Sequence, residues 1–585
     1  MEIPTGTPSL TARLPMPTDQ LQSESLVRQL AISAGILVAT FTCYLPATQC
    51  DYIWDDDDYV IENKTLRSTE GLKQIWFQVG STPQYYPMVH TTYWVEYQLW
   101  GLDPTGYHVV NILLHGMNAI LIWKLLQFLQ VPGSLLAGLL FALHPVHVES
   151  VTWITERKNT LSGFFYLLSA WCFLRTILRP AEEKLSKPLY LASLLLFGAA
   201  LLSKSVTATL PAALLLIVVW KRRRFNRSDI LPVLPMLIAA IPMAIVTAWV
   251  EKNIVGTMYV DLDLSPLDRL LVAGRACWFY AAKLLLPLKL TFIYPRWNID
   301  PATWWQCLFP LTALGLVGTC WWQRQRFGTG TLVAVLFFGG TLVPALGFVD
   351  VYPMRFSFVA DHFQYLASLG LLTLGAATLT TGLQRLASEA QYHQRLIITS
   401  ALLLIPLGVL TWQNCAKYEN LDTLWTDTVQ KNRTSQIAHN SLGALRSDQG
   451  RIREALPLLE RAIQIDPEYA EAYNNLAIVY GQLGLLDKAY QSVQKAIELQ
   501  PGYAKAHFNL AIWFYRQGQL EQSQATLTQA IELDPEFFQA YNQLGLIFLE
   551  QGKRPEAILS FQQALKLQPN NQQAKVNLSR AILLP

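Results

Sequence analysis

Cysteine is sparse and unpaired by spacing. The seven residues Cys43, Cys50, Cys172, Cys277, Cys307, Cys320 and Cys415 include no Cys-x-x-Cys, and none follows Cys415. That excludes zinc modules and a disulfide scaffold, and the thiols read as small buried apolar groups. Charge is scarce as well: Asp, Glu, Lys and Arg make up 15% of 585 residues against 52% apolar ones, with a net charge of +3. From 436 to 585, 13 Lys/Arg stand against 14 Asp/Glu. Neither half carries the basic field a nucleic-acid partner needs. No His-Glu-x-x-His or comparable zinc spacing occurs, so no metal site is assigned. The first apolar run, 29–48, follows a polar leader over 1–28 and has no cleavage site behind it, which makes it a first membrane span and not a removed signal peptide.

What the chain has in abundance is apolar runs long enough to cross a hydrocarbon layer of ~30 Å. They fall near 29–48, 107–130, 133–151, 160–178, 188–204, 205–221, 230–250, 305–323, 330–348, 361–383 and 396–414. This gives eleven spans within a membrane domain over 29–414. A hairpin turning at Ser203-Lys204-Ser205 puts Lys184, Lys187 and Lys221 to Arg224 on one side, as the positive-inside rule prefers. With the N-terminus cytoplasmic, Arg175/Arg179, Arg324/Arg326 and Arg385/Arg395 obey the same rule. The external loop is then 49–106. The scheme closes when 266–290, inside the segment 251–304, lies at the interface, because its Arg269, Arg275, Lys283 and Lys289 are interleaved with apolar residues. If that segment spans, the C-terminal part lies in the cytoplasm instead.

The tail repeats every 34 residues. Pro467, Pro501, Pro535 and Pro569 keep that interval, as do Gly450, Gly484, Gly518 and Gly552 and the small residues Ala462, Ala496, Ala530 and Ala564. Small residues where paired helices touch and Pro after the second helix are the signature of tetratricopeptide repeats (TPRs). Four repeats and a closing helix fill 438–585. The connector 415–437 has no Gly/Pro linker and contains a degenerate repeat helix near Asp422 to Gln430.

Polar residues collect at the external face. Four consecutive carboxylates, Asp55 to Asp58, follow the first span between Tyr52, Trp54 and Tyr59. His144-Pro-Val-His147-Val-Glu149 ends the third span and leads to Glu156, Arg157 and Lys158. Lys204 lies at the outer hairpin, and Arg355, Asp361 and His362 open the tenth span. His144 and His147 are either hydrogen-bonded core rings or a weak metal pair with Glu149. Ionisable groups in such positions are costly and are functional candidates. Arg157, Lys158, Lys204 and Arg355 set cations at headgroup level, where they suit an anionic lipid phosphate. A carboxylate beside them suits deprotonation of a hydroxyl nucleophile.

These segments resemble the transmembrane-and-TPR protein O-mannosyltransferases and their bacterial relatives, of the GT-C class. The resemblance rests on Trp54-Asp-Asp56, on His144-Pro-Val-His-Val-Glu-Ser150 running into Glu156-Arg-Lys158, on Leu202-Ser-Lys204, on Phe358-Val-Ala-Asp361 and on the TPR array. It departs from the family after Asp361, where His362-Phe-Gln-Tyr-Leu-Ala replaces an Arg and a Tyr-Leu-Tyr-Leu-Pro-like string. The resemblance implies an all-α fold, a GT-C-type polytopic helical domain followed by a TPR solenoid. It implies a catalytic base at Asp55 or Asp56, a polyprenyl- or dolichyl-phosphate-linked sugar as donor, with mannose the family's sugar, and no required metal. The expected acceptor is a hydroxyl, Ser/Thr of a protein held by the TPRs. Two alternatives stay open: a lipid or polysaccharide acceptor, and a non-enzymatic TPR scaffold or transporter. The membrane would be the plasma (inner) membrane of a bacterium, with the repeats extracytoplasmic.

Overall fold

The computed structural model describes residues 26–179, 186–255 and 264–583, which leaves nearly all of the expected leader outside the described residues. All regular elements among these residues are helices. Six are long and apolar enough to span a membrane: Leu26–Gln49, Pro104–Phe128, Ile154–Ile177, Ser205–Arg222, Leu234–Ile254 and Gln391–Tyr418. The pair Ser134–Leu143 and Pro145–Thr152, bent by 52°, makes a seventh if counted as one span, and Lys187–Leu201 and Thr329–Ala345 are shorter apolar helices. Of the eleven expected spans, six correspond to these helices, one to the bent pair and two to the shorter apolar helices, and two more fall outside the set. Leu308–Trp322 is only 15 residues long, and threonines, Gln384 and Arg385 dilute the apolar character of Ser368–Leu386. Pro266–Leu285, with Asp268, Arg269, Arg275 and Lys283, also falls outside the set.

Proline explains the broken third span. Pro145 cannot donate a backbone hydrogen bond, and His144 before it is extended at φ −80°, ψ 125°. The chain therefore leaves the helix at His144 and re-enters at Val148, carrying Glu149 inward. The same stretch continues through a second break at Trp153, also extended, before Arg157–Ile177 begins.

The repeats are helix pairs starting at Gln436, Ala470, Ala504 and Phe538, with Gln572–Leu583 closing the stack. Gly450, Gly484, Gly518 and Gly552 end the first helix of each pair at φ 73–75°, a conformation that disfavours any other residue. Leu421–Lys431, capped by Asn420, precedes them as a base helix. Its Trp425 is buried in a cluster with Trp153, Phe292 and Tyr44 from the membrane domain, so the repeats are rooted there and not tethered.

The array lies on the face that carries Asp55. Asp51 N donates to Glu419 O at 2.8 Å and Asn432 Nδ2 to Ile293 O at 3.1 Å. Arg355 lies 4.0 Å from Glu471, and Lys64 lies 3.7 Å from Glu536. If this face is extracytoplasmic, Gln491→Cys, at an exposed position of the second repeat, should react with a membrane-impermeant maleimide in intact cells above the parental background. Labelling only after permeabilisation places repeats and cavity inside together.

Candidate functional site

The turn after the first span is built around Trp54 and Asp56. Trp54 sits at φ 49°, unusual for a bulky residue, and its ring meets Trp425 edge-on at 4.8 Å and Phe292 at 6.1 Å. Asp56 is fully buried. Its Oδ2 accepts from Ile53 N at 2.9 Å, and its Oδ1 accepts from Thr155 N at 2.8 Å and Thr155 Oγ1 at 2.6 Å. Burial pushes its carboxyl up to about 7 against those three donors. Asp56 staples the turn to the break before Arg157–Ile177. Of the two expected bases it is the one that does not line the cavity; Asp55 does.

That cavity holds about 820 Å³ and is lined by the polar residues Asp55, Lys158, Lys204, Glu156, Glu149 and His362 and by apolar ones that include Ala240, Met243 and Ala244. Burial raises the Asp55 carboxyl to about 6; Lys158 opposes the rise, while Asp58 and Glu156 add to it. Glu156 is the hub of the charged floor. Its Oε1 lies 3.1 Å from Lys158 Nζ and its Oε2 lies 3.2 Å from Lys204 Nζ. Asn159, on the same helical face as Glu156 three residues earlier, accepts from Lys204 Nζ at 2.8 Å through Oδ1 and donates to His362 O at 3.0 Å through Nδ2. Lys158 also lies over the rings of Tyr59 and Trp153, at 5.3 and 5.9 Å. Two ammonium groups are thus held side by side, each with three N–H donors and only part of that capacity used by protein.

Arg157 and Arg355, of the expected phosphate-binding set, are not among the residues that line this cavity. Consecutive helical residues point about 100° apart, so Arg157 turns away from the cavity when Lys158 turns toward it. Its guanidinium is fully buried, ion-paired with Glu96, bonded to Asn111, and donating to Tyr107 O at 2.8 Å. Arg355 reaches out to Glu471 and lies over the Tyr469 ring of the second repeat, 5.8 Å from its centroid.

The histidine pair is structural. His144 Nε2 donates to Leu284 O at 3.0 Å while Nδ1 accepts from Val146 N. His147 Nδ1 donates to Phe141 O at 2.8 Å and Nε2 contacts Ser368 Oγ at 3.0 Å. All four ring nitrogens lie within hydrogen-bonding distance of a protein partner. Asp361 lies behind the cavity wall, where its Oδ2 accepts from Tyr294 OH at 2.9 Å. Among the described residues no group of three or more His, Cys, Asp or Glu is arranged to hold a metal ion. Sequence reasoning missed Asn159 and Trp425; the i,i+3 step from Glu156 to Asn159 could have found the first.

An all-α protein with several helices apolar enough to span a membrane, a cavity carrying a carboxylate beside two lysines, and a TPR solenoid rooted on the membrane domain defines the class. Residues 82–249 match the family of Dolichyl-phosphate-mannose-protein mannosyltransferases, and 443–484, 468–536 and 508–581 match tetratricopeptide repeat families. Through both parts the chain is homologous to the TPR-containing protein O-mannosyl-transferases. Protein O-mannosyl-transferase F38B6.6 of Caenorhabditis elegans is 24% identical over 468 residues, 75% of this chain and 63% of that protein. TMTC4 of Homo sapiens is 27% identical over 410 residues, 58% and 54% respectively. Protein O-mannosyl-transferase tmtc2 of Xenopus laevis is 34% identical over 162 residues, 26% and 19%. The chain spans less than two thirds of the length of these relatives.

Proposed function

We propose that this chain is a glycosyltransferase that moves a sugar from a polyprenyl- or dolichyl-phosphate carrier to a hydroxyl acceptor, Ser or Thr of a protein, on the extracytoplasmic side. The observation that carries the reading is the shared cavity: Asp55 and the lysine pair at Glu156 line one space together with residues of the apolar helix Leu234–Val250. A charged floor for a phosphate and an apolar wall for a prenyl chain fit one amphipathic donor.

Asp55 takes the proton of the acceptor hydroxyl as the acceptor oxygen bonds to the anomeric carbon. The bond from that carbon to the phosphate oxygen breaks, its electron pair leaves with the lipid phosphate, and the anomeric configuration inverts. Lys158 and Lys204 oppose the charge that grows on the departing phosphate, a stabilisation placed where charge develops. With phosphate as leaving group, no acid catalyst or metal is required. The TPR array, which contacts the same face that carries Asp55, supports a protein acceptor, since such solenoids offer extended concave binding surfaces.

Lys158→Met and Lys204→Met should each raise the donor KM by about ten- to a hundredfold, the worth of one hydrogen bond to a charged group, with the acceptor KM nearly unchanged. Saturation curves that move only in the acceptor would overturn the placement of the phosphate.

A further inference from the structure

His362 also lines the cavity, and its surroundings set the direction of its ring. Glu149 Oε1 takes Nδ1 at 2.9 Å and Glu149 Oε2 takes the His362 backbone N–H at 3.3 Å. A carboxylate at Nδ1 fixes a proton there, so Nε2 is the variable nitrogen. Nε2 has no hydrogen-bond partner among the described residues, is not among the sealed polar atoms, and belongs to a ring on the cavity wall. Asn159 ties this ring to the lysine pair, because its side chain holds both His362 O and Lys204 Nζ.

We infer that His362 is a proton-gated ligand of the donor phosphate, an extension that rests on the lipid-phosphate reading above. Neutral Nε2 presents a lone pair, which a phosphate oxygen avoids. Protonated Nε2 presents a charged N–H, which a phosphate oxygen accepts from. The groups that face it are Glu149 behind it, Asp55 and Glu156 in the cavity with Lys158 and Lys204, and Asp361 beside it in sequence. Asp58, Glu251 and Asp350 add carboxylates farther round the wall. A phosphate oxygen within reach of Nε2 favours the protonated ring over the neutral one, because only the protonated ring offers it an N–H. Donor binding therefore takes up a proton at His362, whereas catalysis requires Asp55 to have lost one.

The test uses the full-length chain in lipid nanodiscs and methyl farnesyl phosphate, a diester whose single charge does not change between pH 5.5 and pH 8. Asp55→Asn is the background, so that its titration does not contribute. Affinity should rise roughly tenfold on going from pH 8 to pH 5.5, the low end of the range for a charged hydrogen bond. Adding His362→Gln should leave affinity weak and flat with pH, and adding His362→Arg should leave it tight and flat. An undiminished pH response in the Gln variant overturns the role of His362 while leaving the phosphate site in place. No binding at any pH overturns both the inference and the donor reading. Dimethyl phosphate should bind far more weakly; equal affinity would make this a site for free phosphate and remove the lipid.

Discussion

Asp55→Asn is expected to lower sugar transfer by about 10²- to 10⁴-fold, the usual worth of a positioned general base, with expression and folding intact. Asn keeps the shape and loses the ability to take a proton. Because the Asp55 carboxyl is raised from 3.8 to about 6, kcat/KM for the acceptor at saturating donor should climb tenfold per pH unit below about 6 in the wild type as the base ionises, and level off above it. The same shift fixes the sign of its effect on stability. A carboxyl higher in the fold than in the unfolded chain favours folding in its protonated form, fully below 3.8, and that contribution is lost as pH rises through about 6. The permanently neutral Asn should therefore be as stable as the wild type or more so at neutral pH. Asp56→Asn should behave oppositely. Its amide can accept through one oxygen only, so an N–H is turned against either Ile53 N or Thr155, at a cost of about 1–3 kcal/mol for an unsatisfied buried group. Wild-type transfer rates in folded Asp55→Asn protein would sink the assignment.

Arg157→Met is expected to unfold the membrane domain rather than to weaken donor use. Removing one partner of a buried ion pair costs about 3–5 kcal/mol, because the other charge is left without compensation. Here that charge is Glu96, in the helix Pro87–Trp100 of the first loop. The loss should appear as a lower thermal midpoint in detergent, and Glu96→Gln should reproduce much of it. Replacing both, as Arg157→Met with Glu96→Leu, should recover part of the stability, since an apolar pair needs no compensation. The neighbouring Lys158→Met should lower the midpoint less, because its partner Glu156 keeps Lys204. Arg157→Met protein with unchanged midpoint and a raised donor KM would return Arg157 to the phosphate site.

These contrasts mark how far the sequence could be read. The 34-residue period predicts the repeat helices because each repeat is one local unit repeated in register, and helix starts at Gln436, Ala470, Ala504, Phe538 and Gln572 keep the interval. The acidic turn and the Glu156-Arg157-Lys158 string were visible as clusters, yet side-chain direction was not. Whether Asp55 or Asp56 faces the cavity depends on Thr155, 99 residues away, offering its N–H and hydroxyl to Asp56. Whether Arg157 or Lys158 does so depends on Glu96. Arg355 was placed by its membrane depth, while its partner Glu471 lies in another domain. Hydropathy registers runs of residues and not helix length, so it could not show that the run 305–323 holds a helix of only 15 residues, Leu308–Trp322.

The contact of Trp54 with Trp425 bears on how members of this architecture can be recombined. Trp425 belongs to the base helix of the solenoid, yet it braces the residue that precedes Asp55. Phe292, which packs on both rings, also lines the cavity. A chimera that exchanges acceptor preference by swapping everything after Cys415 would remove the ring that braces Trp54 and Phe292 along with the repeats, and its inactivity would say nothing about acceptors. The seam for such a graft lies after Asn432, which keeps Trp425 and the Asn432 hydrogen bond to Ile293 with the membrane part. On this view the boundary between catalysis and recognition falls one helix inside the solenoid.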